Sequence, residues 1–99
     1  MVKLKVITDK EKKATENVVK SAISAQIQRL EISLKITNNN LKKFEEKYFV
    51  NSDEFLKKYT AEDLEGKDEE YVNWYGEIKM KEKIFSDLKK LQAIEYESY

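Results

Sequence analysis

The densest set of carboxylates in the chain is Glu62, Asp63, Glu65, Asp68, Glu69 and Glu70. Oxygen ligands of this kind suit calcium or magnesium. An EF-hand loop, however, sets its ligands at alternate positions around a central Gly, and this spacing does not match. The stretch reads as a solvated loop followed by acids that favour a helix start, so no metal and no other cofactor is expected. A second candidate is basic. Lys3, Lys5, Lys10, Lys12, Lys13 and Lys20 could meet phosphates. A solvated helix end explains the same residues, and nucleic acid ranks low among the expected partners. Glu11, Glu16, Glu31, Glu45 and Glu46 sit among lysines and need no catalytic role; Glu45 and Glu46 can bridge Lys42, Lys43 or Lys47 only weakly. The chain has no His and no Cys. That removes the usual zinc, haem and thiol sites, and the Ser-His and Cys-His pairings. No Gly-rich phosphate loop is present. No catalytic residue is assigned, and an enzyme is not expected.

Ninety-nine residues make one domain. Charged residues are 38% of the chain and hydrophobic ones 40%; Pro is absent and Gly occurs only at Gly66 and Gly76. That composition favours long helices over a sandwich or barrel, which needs frequent turns. The formal net charge is zero, but it is unevenly placed. Up to Val50 there are 11 Lys/Arg against 6 Asp/Glu, and from Asn51 onward 8 against 13. The halves can pair with each other or guide a partner. No apolar run approaches the roughly 20 residues of a membrane span, and the N-terminus lacks a signal core. The expected setting is the cytoplasm, without membrane contact.

The organising element is a stripe at Val19, Ile23, Ile27, Leu30, Leu34, Leu41, Phe44 and Tyr48, with Thr37 where one further apolar residue would stand. Steps of three and four make one helix face, close to a coiled-coil seam. Ile32 and Ile36 lie beside it and widen the face, as a helix touching two neighbours requires. Asn38, Asn39 and Asn40 interrupt the pattern, yet Leu34, Leu41, Phe44 and Tyr48 keep register across them, so the helix is expected to continue. Ahead of it, Val2, Leu4 and Val6 alternate with Lys3 and Lys5, a short strand. Such a strand should pair with another copy of itself, pair with a partner protein, or fray. Thr8 and Glu11 fit a capping box. Ser52, with Asp53 and Glu54, starts a short helix bearing Phe55, Leu56 and Tyr59; Thr60 is a further cap, and Asp68 caps the last helix. That helix carries Tyr71, Trp74, Tyr75, Ile78, Ile84, Phe85, Leu88, Leu91 and Ile94. Its aromatic end lies near the bend, where Phe44, Tyr48, Phe55, Tyr59, Tyr71 and Trp74 can gather.

From Lys43 the chain reads KFEEKYFVNSDEFLKKYTAEDLEGKDEEYVNWYG. This resembles a pattern in small uncharacterised bacterial and archaeal helical proteins, some of them antitoxin-like: a helix ending in Phe-Glu-x-x-Tyr, a Ser-capped Glu-Phe turn, an acidic linker and a Trp-bearing helix. Phe44, Glu45, Tyr48, Ser52, Glu54, Phe55, Tyr59, Asp68 and Trp74 carry the likeness. The usual Gly after the Tyr is replaced by Phe49. The resemblance implies a protein-binding role and brings no catalytic residues.

The expected fold is all-α: a long antiparallel helical hairpin, coiled-coil-like, with a short helical elbow and a short N-terminal β-strand. Its parts are a strand at 1–7, a long helix at 9–49, an elbow at 52–66 and a second long helix at 68–96 of one domain. The expected function is a non-enzymatic protein-binding module, in its specific form an antitoxin masking a toxin. The alternative is a self-assembling helical structural protein with no other partner. Val19, Ile23, Ile27, Leu30, Leu34, Ile32 and Ile36 are the expected interaction residues. A homo-oligomer is expected, a dimer first, because the stripe with Ile32 and Ile36 exceeds what one antiparallel helix covers.

Overall fold

The structure, a computed structural model, describes residues 3–6, 12–58 and 69–98. The elements in chain order are β1 (Lys3–Val6), α1 (Lys12–Tyr48), α2 (Ser52–Lys58), α3 (Glu69–Gln92) and β2 (Glu95–Ser98). The fold is all-α, a long helical hairpin of α1 and α3 with α2 in the elbow and a short strand in front. The capping residues Thr8 and Glu11, the alternating residue Val2, and Tyr59, Thr60, Gly66 and Asp68 lie outside the described residues.

The hairpin runs antiparallel, as its cross-links show. Tyr48 meets Glu70, Phe44 stacks on Trp74, and Asn40 Nδ2 donates to Glu77 Oε1 at 3.2 Å, so positions fall along α1 as they rise along α3. The overall extents are 58 × 22 × 20 Å and the radius of gyration is 19.2 Å. A compact domain of this length has a radius near 13 Å. The chain therefore has one layer of helix against helix, and its buried side chains concentrate along one seam.

α1 passes through Asn38–Asn40 without a break. Asn38 and Asn39 are exposed, where Asn costs a helix only its modest propensity. Thr37 is buried at 4% exposure, and next to it Leu41 at 5%. No buried side-chain polar atom among the described residues lacks a hydrogen-bond partner, so Thr37 occupies an apolar position without an orphaned hydroxyl. On the facing helix Trp74, Ile78, Ile84 and Leu88 are buried.

The lengths of the two helices do not match. α1 has 37 residues and α3 has 24, a difference of about 20 Å at 1.5 Å per residue. Continuing the observed register puts Gln92, the end of α3, opposite about Gln26 of α1. No residue of α1 before Thr37 is buried.

The chain ends correct two expectations. The last helix does not reach Glu95 or 96: it ends at Gln92, and Glu95–Ser98 is a strand. The ladder of helical bonds closes with Ala93 N–H to Lys89 O at 3.1 Å, then tightens to Ile94 N–H to Leu91 O at 3.3 Å. The N-terminal strand, moreover, pairs within its own chain. β1 and β2 form a parallel two-stranded sheet in which Lys3 pairs with Glu95, Leu4 with Tyr96, Lys5 with Glu97 and Val6 with Ser98. The register sets Lys3 opposite Glu95, a pair of unlike charge that suits this pairing. Among the described residues no helix is long and apolar enough to cross a membrane.

Candidate functional site

Of the expected acidic site, only Glu69 and Glu70 fall among the described residues. Glu70 is tied to its neighbours: Lys47 Nζ and the Tyr48 hydroxyl both donate to its carboxylate. The hydrogen bond from Lys47, then that from Tyr48, holds the Glu70 carboxyl below the usual range, and the same bond raises the Lys47 ammonium. Both head groups remain in contact with solvent, so this triad locks the elbow only weakly. No group of three or more metal-ligating side chains converges among the described residues. Of the basic candidates, Lys20 bridges Glu16 at 3.1 Å one turn away, and Lys10 lies outside the described residues.

The elbow aromatics come together as one cluster. Trp74, at 1% exposure, lies parallel to Phe55 with ring centroids 4.1 Å apart, and stacks at 5.6 Å on Phe44 and at 5.8 Å on Tyr48. Tyr71 closes the cluster edge-on, 5.3 Å from Tyr48 and 5.7 Å from Phe55. Tyr59, placed with them from sequence, lies outside the described residues. Three chain segments supply these rings, so the stack holds α1, α2 and α3 in one arrangement. The Trp74 indole N–H donates to Ser52 Oγ at 3.0 Å.

That bond explains a correction at the start of α2. Asn51, not Ser52, is the cap: its Oδ1 accepts from Glu54 N–H at 2.8 Å, and its carbonyl takes the first helical bond, from Phe55 N–H at 3.0 Å. The Ser52 hydroxyl is left for the indole, while Ser52 N–H donates to Glu45 Oε2 at 2.7 Å.

The expected interaction residues divide into two sets. Val19, Ile23, Ile27, Leu30 and Leu34 are half-buried along the inner side of α1. Ile32 and Ile36 lie on its flank, 62% and 56% exposed. Beside Ile36 an open groove of about 1130 Å³ runs between α1 and α3, with Leu30 and Ile84 in its lining and Val72 and Met80 on the α3 side. Val72 and Met80 are also well exposed. A Cβ added at Gly76, in the same wall, would meet nothing within 4 Å, so the groove is open there. Sequence reasoning missed Val72 and Met80, because no partner at their heptad positions marks them as part of a stripe.

Phe49 is the other missed residue. It follows the last turn of α1 with a φ of 56° and is 92% exposed. The left-handed conformation at a helix end is the place of Gly, and a Cβ there costs about 1–2 kcal/mol. The exposed ring adds no packing in return. The absent Gly after Tyr48 was the only signal available. No family model, no curated protein and no solved structure matches the chain.

Proposed function

We propose that the protein is a non-enzymatic protein-binding module working in the cytoplasm, and that its binding surface is the outer flank of α1 with the adjoining groove. The observation that carries this reading is the composition of an exposed helix. From Ser21 to Leu41 only Arg29, Glu31 and Lys35 are charged, three residues of 21, in a chain that is 38% charged. Most of that stretch faces outward, with Ile32 and Ile36 more than half exposed. A helix face kept only for solubility is rich in Lys and Glu, whereas charge depletion around apolar anchors marks the centre of an interface. The α3 residues Val72 and Met80 extend the apolar surface across the groove.

An antitoxin that masks a toxin is the specific form of this function, and it rests on the sequence resemblance alone. The alternative, a self-assembling helical protein with no other partner, uses the same face with a different occupant. The test is a pull-down from the native organism with the wild type and with Ile36→Asp as baits. A stoichiometric protein held by the first and lost from the second is expected. If the two baits return the same proteins and the substitution leaves self-association unchanged, the flank is not a binding surface.

A further inference from the structure

Along α1, Val18, Ala22, Ala25, Arg29, Ile32 and Ile36 follow one another at alternating steps of four and three. This is the a/d spacing of a coiled-coil seam. It is a second seam, distinct from the one that meets α3: Val18, Ala22, Arg29, Ile32 and Ile36 are all exposed and Ala25 is half-buried. We infer that a second copy of this chain docks here, with the two α1 helices antiparallel about a two-fold axis near Ile27.

The residue sizes select both the partner and its direction. In an antiparallel pair centred near Ile27, Ala22 faces Ile32 of the second copy, Ala25 faces Arg29, and Val18 faces Ile36. The small side chains at one end of the seam thus stand opposite the large ones from the other end, and each a position meets a d position. The Arg29 stem lies along Ala25 of the second copy with its guanidinium at the solvent edge; within its own helix Arg29 Nε already donates to Gln26 Oε1 at 2.9 Å. A parallel pair would stack Arg29 on Arg29 and leave voids at two Ala layers, which are penalties of charge and packing. Self-complementarity under a two-fold is a property of an isologous interface.

The same register uses two features of the hairpin. The first turns of α1 extend beyond α3. In the dimer, Lys12–Val18 of the second copy runs alongside Ile36 to Lys42 and over the groove wall at Gly76 and Met80, where open space permits a helix to approach. The contact strip is then about 45 Å long and one helix, about 10 Å, wide.

This inference rests on the flank of α1 being a protein-binding surface, and it names the occupant. Light scattering on the full chain at micromolar concentration is expected to give the dimer mass. Ile32→Glu, at a position exposed in the single chain, is expected to raise the dimer dissociation constant by about 30-fold or more with an unchanged helical circular dichroism spectrum. Since the chain has no Cys, direction is read by oxidising a mixture of Ala25→Cys and Arg29→Cys chains. The mixed disulfide should dominate; homodisulfides in its place would overturn the antiparallel register. A monomeric wild type, or a dimer indifferent to Ile32→Glu, would overturn the inference. If such a monomer still loses a foreign partner through Ile36→Asp, the protein-binding reading stands without it.

Discussion

The two ends of α1 are built on different principles. At the elbow, Phe44 and Tyr48 enter a stack of rings around Trp74, and Ser52, Glu45, Asn51 and Glu70 satisfy the polar groups of the turn. Away from the elbow α1 outruns α3, none of its residues is buried before Thr37, and its outer flank between Ser21 and Leu41 is apolar and charge-poor. A helix this long cannot bury a full stripe within a hairpin whose second arm is 13 residues shorter. Stability is concentrated at one end, which leaves the other end free to vary its surface without loss of the fold.

The elbow carries the largest expected effect. Trp74→Ala should cost about 3–5 kcal/mol, read as a shift in the urea midpoint. A small shift would mean that the stack does not hold the arms together. Ser52→Ala removes the acceptor of the buried indole and should cost about 1–3 kcal/mol, against about 1 kcal/mol for Asn51→Ala, which removes a cap. Reversed costs would restore Ser52 as the cap. Phe49→Gly should stabilise the chain by up to about 1 kcal/mol, since the left-handed backbone suits Gly; loss of stability on thermal melting would show that the exposed ring packs in solution. At the far end Val18→Ala, 68% exposed, should change the stability of the single chain by no more than about 0.5 kcal/mol, measured at concentrations too low for association. The smallest effect is that of pH. The depressed Glu70 carboxyl adds stability above its unfolded value and loses it as pH falls through the folded value. The raised Lys47 ammonium adds stability below the ordinary lysine range and loses it as pH rises through its folded value. Both contributions should vanish from acid and alkaline titrations of Glu70→Gln.

Much of the helical frame was legible because its signals are local. Leu34, Leu41, Phe44 and Tyr48 kept their spacing across three Asn residues, and the aromatic residues of three segments all faced one bend. What escaped were features decided by partners distant in the chain. Ile94 follows Leu91 by three, in step with α3, so Ile94 to Tyr96 read as the end of that helix until β1 was available to pair there. Asn51 and Ser52 are equally good caps by residue type, and the choice falls to Asn51 because Trp74, on another helix, needs the serine hydroxyl. The outer flank was half legible: Ile32 and Ile36 marked it, while Val72 and Met80 joined it only when α3 was laid alongside.

The strand pair at the chain ends also bears on the order of folding. Lys3 and Glu95 are separated by nearly the whole sequence, yet they are partners in one register. Closing so long a loop carries an entropy that only the prior docking of α3 on α1 reduces. The hairpin therefore zips from the elbow outward, and the strands meet last. A ladder of four residues a side, formed at the end and held by so few bonds, is also the first to open. In hydrogen exchange its amides should report this partial opening, while those around Trp74 wait for the whole molecule to unfold.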